Sequence, residues 1–170
     1  CRTDGSEYRS CRWPKFGAIV VGGKGTMMVE DRPGSQRVAT LAQTLARALV
    51  AEDYGAVAPC IAEQCVYETA TASVLGVGPI VASYAASGAW VKRTFEDVRY
   101  ESRIEVLGER AAAVEFIDYL MSAGHGWHRY RCRQEFTFGD DDRVVRIVHR
   151  ELPGEREALT EYLKKCGIER

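Results

Sequence analysis

Nowhere does the sequence hold the roughly 20 consecutive apolar residues that a membrane-spanning helix needs. Its longest early apolar run, "FGAIVV" (16–21), is followed by glycines and is too short for a signal-peptide core. An excess of one charge is missing too. The 23 Lys and Arg stand against 24 Asp and Glu, a formal net charge of −1. That balance gives no overall push towards nucleic acid or an anionic membrane. The six cysteines form no CxxC pair, and no Cys/His group has zinc-finger spacing. Neither a metal centre nor, without a secretory signal, a disulfide framework is expected. The thiols are expected to be reduced and to pack as small apolar groups in a cytoplasmic chain. "GGKGT" (22–26) has Lys24 followed by Gly25, and Ala18 where a phosphate loop needs its first glycine, so it does not read as one. No internal repeat is present.

What is there suits one domain with its own core: 170 residues, 46% hydrophobic and 28% charged. Regular patterning begins late. Residues 1–35 mix Arg, Gly, Ser and Pro without period and read as an irregular N-terminal extension. A vector-derived segment, or one translated upstream of a natural start at Met27 or Met28, is the expectation for it. The fold is expected over 36–170.

Val38, Leu41, Ala42, Leu45, Leu49 and Val50 follow helical spacing and predict an amphipathic helix over 37–52. A shorter helix fits 54–64, with Pro59 shortening or kinking it. Strand formers alternate over 65–71, "VLGVG" (74–78) reads as a turn, and Pro79 opens a third helix over 79–95. Gly88 weakens that helix, which marks a close approach by another element. Strands follow over 96–108, 111–123, 125–138 and 144–152, the last two joined by the acidic turn "GDDDR". Pro153 stops the last strand, and 155–167 reads as a short C-terminal helix. This order predicts an α+β fold. Its curved, mostly antiparallel sheet wraps around helices to form a conical pocket, as in a cystatin-like α+β barrel.

The stretch "HGWHRYRCRQEFTF" (125–138) splits by parity. His128, Tyr130, Cys132, Gln134, Phe136 and Phe138 form one face, and Trp127, Arg129, Arg131 and Arg133 lie on the other. Phe136 and Phe138 suit a core, whereas His128, Tyr130 and Gln134 suit a cavity that holds something. On the neighbouring strands the matching parities are Tyr67 with Thr69, Phe116 with Asp118, and Ile147 with His149. Asp118 stands among apolar neighbours, and a buried unpaired carboxylate has a raised pKa. It is the candidate general base, with His149 as its partner. Tyr67 or Tyr130 would polarise a substrate oxygen. Trp90 and Tyr84, on the third helix, suit pocket wall or core.

The phrase "AEDYGAVAPCIAEQCVYETATASVLGVGPIVASY" (51–84) and the closing hairpin "GDDDRVVRIVHRE" (139–151) resemble the nuclear transport factor 2-like superfamily. The likeness is to its SnoaL-like and limonene-epoxide-hydrolase-like members, and it covers about residues 37–152. The resemblance implies a fold that hosts enzymes, ligand binders and docking modules. It also implies homodimers formed through the outer sheet face, which is compatible with Trp127 and the three arginines. The epoxide hydrolases place Tyr and Asn on the first strand, Arg-x-Asp on a middle strand and Asp on the last. The corresponding positions here are Tyr67, Thr69, Phe116, Asp118 and His149. Tyr67 and Asp118 are kept; the Arg, the Asn and the second Asp are not.

Two functions are carried forward. One is an isomerase, dehydratase, cyclase or hydrolase without a cofactor, acting on a small hydrophobic molecule through Asp118, His149 and Tyr67. Tyr130, His128, Gln134, Thr69, Phe116, Trp90 and Tyr84 would contact that ligand. The other is a non-catalytic ligand carrier or dimeric docking module. No metal, nucleic acid or membrane partner is expected.

Overall fold

The structure is a computed structural model and describes residues 33–168. The expected irregular extension lies, up to residue 32, outside the described residues. The chain folds in the order α1 (Pro33–Val50), α2 (Tyr54–Val57), a 3-10 turn (Ala58–Cys60), β1 (Ile61–Glu68), β2 (Ser73–Leu75) and α3 (Val77–Thr94). β3 (Asp97–Gly108), β4 (Ala111–Ser122), β5 (Gly126–Phe138), β6 (Val144–Glu151) and α4 (Glu155–Lys165) follow. The six strands form one curved, open sheet in the order β2-β1-β6-β5-β4-β3. All pairs are antiparallel except β1 with β6. It is the expected α+β fold.

Several boundaries differ from the sequence reading. α1 begins at Pro33, so the fold starts inside the segment set aside as an extension. The second helix stops at Val57, and residues 61–64, read as helix, open β1 instead. Pro59 tightens the chain into the 3-10 turn, and Ile61 is already extended, with φ −110° and ψ 133°. "VLGVG" holds the short edge strand β2 rather than a turn alone. Val74 pairs with Tyr67, and Gly76, at φ 91°, supplies the left-handed corner from which α3 starts.

The inner face of β5 positions the site. Phe138 and Phe136, at one end, join the main core with Val114, Ile147, Val144 and the apolar stripe of α1, Val38, Ala42, Leu45 and Ala46. Burial of Phe136 or Ile147 contributes roughly 2 kcal/mol each. His128, at the other end, lies under α4. There Leu159, Tyr162 and Leu163 pack with Phe95 and Leu120 in a second apolar cluster. Between the two clusters, Gln134, Cys132 and Tyr130 face open space. α4 is pinned by Glu155, whose carboxylate accepts from the Arg131 backbone N–H at 3.0 Å and from Arg131 Nε at 2.7 Å.

The outer face carries charge pairs. Arg133 meets Glu105 at 2.8 Å, Arg131 meets Glu115 at 3.7 Å, and the Arg99 guanidinium lies 4.5 Å from the centre of the Trp127 ring. Charged residues at alternate positions along β3 also keep that edge from pairing with another strand. Among the described residues no helix is long and apolar enough to cross a membrane.

Candidate functional site

The space between the two clusters is a cavity of about 870 Å³, enough for a molecule of several rings. α1, α2 and α3 wall one side, the inner faces of β3 to β6 the other, and Leu159 of α4 closes one end. Asp118, Tyr130, Phe116, Gln134, His149, Tyr67, Tyr84 and Trp90 all line it. Two sequence-derived candidates do not. Thr69 lies beyond the end of β1, where its hydroxyl caps a turn by accepting from Ala72 N at 3.0 Å and donating to Ala72 O at 3.1 Å. His128 has the right parity but stacks on Tyr162 at 4.7 Å, so α4 occupies the space it faces.

Asp118 stands opposite Tyr130 on β5 and opposite Tyr100 on β3. Burial pushes its carboxyl up from the ordinary 3.8 to about 6. Neither Asp118 nor the Tyr130 hydroxyl has a hydrogen bond among the described residues, so both present polar atoms to the cavity. Burial, together with nearby Cys132, Glu151 and Asp118, pushes the Tyr130 phenol upward, so it stays protonated and can donate.

The expected Asp118–His149 pair does not form. His149 stands opposite Gln134, four residues along β5 from Tyr130, the partner of Asp118. That offset is roughly 13 Å of strand, and β4 and β6 lie two strand spacings apart, on either side of β5. His149 instead belongs to a network at the other end of the cavity. Its Nδ1 lies 3.0 Å from the Tyr67 hydroxyl and 3.5 Å from Gln134 Nε2, and Tyr84 donates to Gln134 Oε1 at 2.6 Å. Burial lowers the pKa of the imidazole and raises that of Tyr67 to about 12. With a phenol and an amide both aimed at Nδ1, the neutral ring carries its proton on Nε2.

Sequence reasoning missed Glu52, Tyr54 and Tyr100, which also line the cavity. Glu52 follows α1 in a Schellman turn: its N–H bonds Leu49 O at 3.0 Å, and Asp53 N–H bonds Ala48 O at 2.9 Å. The turn puts Glu52 at φ 54°, a position that glycine normally fills. Its carboxylate pairs with Lys92 and accepts from the Tyr100 hydroxyl at 3.3 Å. Gly88 is the matching signal on α3. A Cβ there would lie 2.6 Å from both Glu52 Oε1 and the Tyr54 hydroxyl, so the glycine does mark a close approach. Among the described residues no group of three or more His, Cys, Asp or Glu is placed to hold a metal ion.

No family model and no curated protein matches the sequence. Solved structures do match the fold. An LEH-like epoxide hydrolase from M. tuberculosis is 18% identical with a TM-score of 0.51, covering 78% of this chain and 96% of its own. The epoxide hydrolase/cyclase-like enzyme SalBIII, of pyran ring formation in the polyether salinomycin, is 10% identical with a TM-score of 0.56, covering 71% and 94%. An NTF2-like protein of unknown function from Cytophaga hutchinsonii is 13% identical with a TM-score of 0.53, covering 66% and 96%. At these identities the likeness speaks for architecture, and it agrees with the element order and the curved sheet. The chain has the nuclear transport factor 2-like fold.

Proposed function

We propose that the protein is a small-molecule enzyme in which Asp118 removes a proton from carbon next to a carbonyl, giving isomerase, dehydratase or cyclase chemistry. The observation that carries this reading is the pairing of Asp118 with Tyr130. The two are cross-strand neighbours, both face the cavity, and neither has an internal hydrogen bond among the described residues. A carboxyl with a pKa of about 6 is ionised at neutral pH, yet more basic than an ordinary aspartate. The Tyr130 phenol, kept protonated by burial, donates to the oxygen on which charge develops. His149, Tyr67, Gln134 and Tyr84 hold the remote end of the ligand, with His149 Nε2–H as a donor. Phe116, one inner-face step from Asp118, gives that wall an apolar surface where the epoxide hydrolases carry Arg, so the chemistry proposed needs one carboxylate rather than a bridged pair.

The test is hydrogen–deuterium exchange at the carbon beside the carbonyl of 1-tetralone and 6-hydroxy-1-tetralone in D2O, followed by proton NMR. The wild type is expected to accelerate exchange, and Asp118→Asn to lose that acceleration while keeping the fold by circular dichroism. Equal exchange by both proteins would remove Asp118 from the role.

A further inference from the structure

The Glu52 corner is costly to build. A non-glycine residue occupies the left-handed Schellman position, and a helix interior gives up a side chain at Gly88. Both departures serve one result: the Glu52 carboxylate stands inside the cavity wall, its side chain only 13% exposed. A purely structural ion pair with Lys92 needs neither departure, because a surface pair is available at any i, i+4 position of a helix.

Two acceptor sites of the carboxylate are taken, one by Lys92 and one by Tyr100, of about four that two oxygens offer. Glu52 lines the cavity together with Tyr54 and Tyr100. Tyr54 is already committed, its hydroxyl donating to Tyr84 O at 3.3 Å. Lys92 offsets the buried negative charge without occupying the cavity, which it does not line. Tyr100 ties this corner to the reacting end, since it is also the β3 register partner of Asp118.

We propose that Glu52 is a substrate-anchoring residue. Its carboxylate takes a hydrogen-bond-donating group, a hydroxyl of a mostly apolar ring compound, and sets the neighbouring carbon against Asp118. This rests on the reading of Asp118 as the base and adds the substrate class: hydroxylated cyclic ketones rather than plain ones. Gly88 is then the residue that keeps the anchor open.

The experiment compares dissociation constants of 6-hydroxy-1-tetralone and 1-tetralone by calorimetry for the wild type, Glu52→Gln, Gly88→Ala and Asp118→Asn. The wild type is expected to favour the hydroxylated ketone by about tenfold, the size of a hydrogen bond to a charged group. Glu52→Gln should cut that preference to about twofold. Gly88→Ala should do the same, because its Cβ displaces the Glu52 carboxylate. Asp118→Asn should keep the preference. No preference in the wild type, an unchanged preference in Glu52→Gln, or no binding of either ketone at millimolar concentration would overturn the proposal. If Glu52→Gln erases the preference while Asp118→Asn still exchanges deuterium, the anchor stands and the base assignment falls.

Discussion

Asp118 and His149 face one cavity from strands on either side of β5, but their register partners on it, Tyr130 and Gln134, are four residues apart. The site therefore has two polar ends. Asp118, Tyr130, Tyr100 and Glu52 form one end, the reacting end of the proposed function, and His149, Tyr67, Gln134 and Tyr84 form the other. Each end makes its own experimental signature.

With Asp118 as the proposed base, the pH dependence of turnover follows its carboxyl. With its carboxyl at about 6, kcat/KM should rise with pH along a limb centred near that value and level off above it. The limb should survive in His149→Gln, since His149 is not bonded to Asp118. Rate profiles of the two proteins between pH 4 and 9 check this; a limb that vanishes with His149 would assign the titration to the imidazole.

The same carboxyl works against stability at neutral pH. Its folded-state pKa lies above the ordinary 3.8, so its contribution is fully present below that pH and is lost as pH rises through about 6. Asp118→Asn should then be more stable than the wild type at pH 8, by at most about 3 kcal/mol, and nearly equal to it at pH 4. Urea unfolding at the two pH values measures the difference.

At the remote end the expected defect is one of binding. His149→Ala leaves the Tyr67 hydroxyl and the Gln134 amide without their shared acceptor, at a cost of about 1–3 kcal/mol in stability. KM should rise about tenfold, with a smaller change in kcat. The remote end would instead take part in the chemical step if kcat fell by orders of magnitude at constant KM.

Glu155 holds the C-terminal cover. Its side chain is 10% exposed and binds both the backbone N–H and the guanidinium of Arg131. Glu155→Ala should destabilise by about 1–3 kcal/mol. It should also raise amide exchange across Leu159–Leu163, where α4 packs over His128 and Leu120. Hydrogen-exchange mass spectrometry reads this; unchanged protection there would show that the apolar cluster alone holds α4.

Much of this was legible in the sequence because β3 to β6 alternate with period two. Parity alone selected the inner-face residues Asp118, Tyr130, Gln134 and His149, and every one of them lines the cavity. Parity carries no register, however. The offset between Asp118 and His149 depends on how β4 and β6 slide against β5, which no single strand encodes. Nor does parity say what covers a face, so His128 reads like Tyr130 until α4 is seen to lie on it. Thr69 failed because β1 ends at Glu68 and the next residues turn back into β2, a strand of three residues with too little sequence to signal itself. Glu52 was hidden in a turn, and its one outward sign was the glycine at position 88 in a helix that otherwise had no need of it.

If Asp118 is the base, its half-buried carboxyl must stay unpaired in solution, and that can be read without knowing the substrate. Carbon-13 NMR of the aspartate side-chain carboxyls, titrated from pH 2 to 9 and assigned by the resonance missing in Asp118→Asn, gives its pKa directly. A midpoint near 6 is the predicted result. A midpoint in the ordinary aspartate range, near 3.8, would mean that the carboxylate is solvated or paired in solution, and would contradict the account.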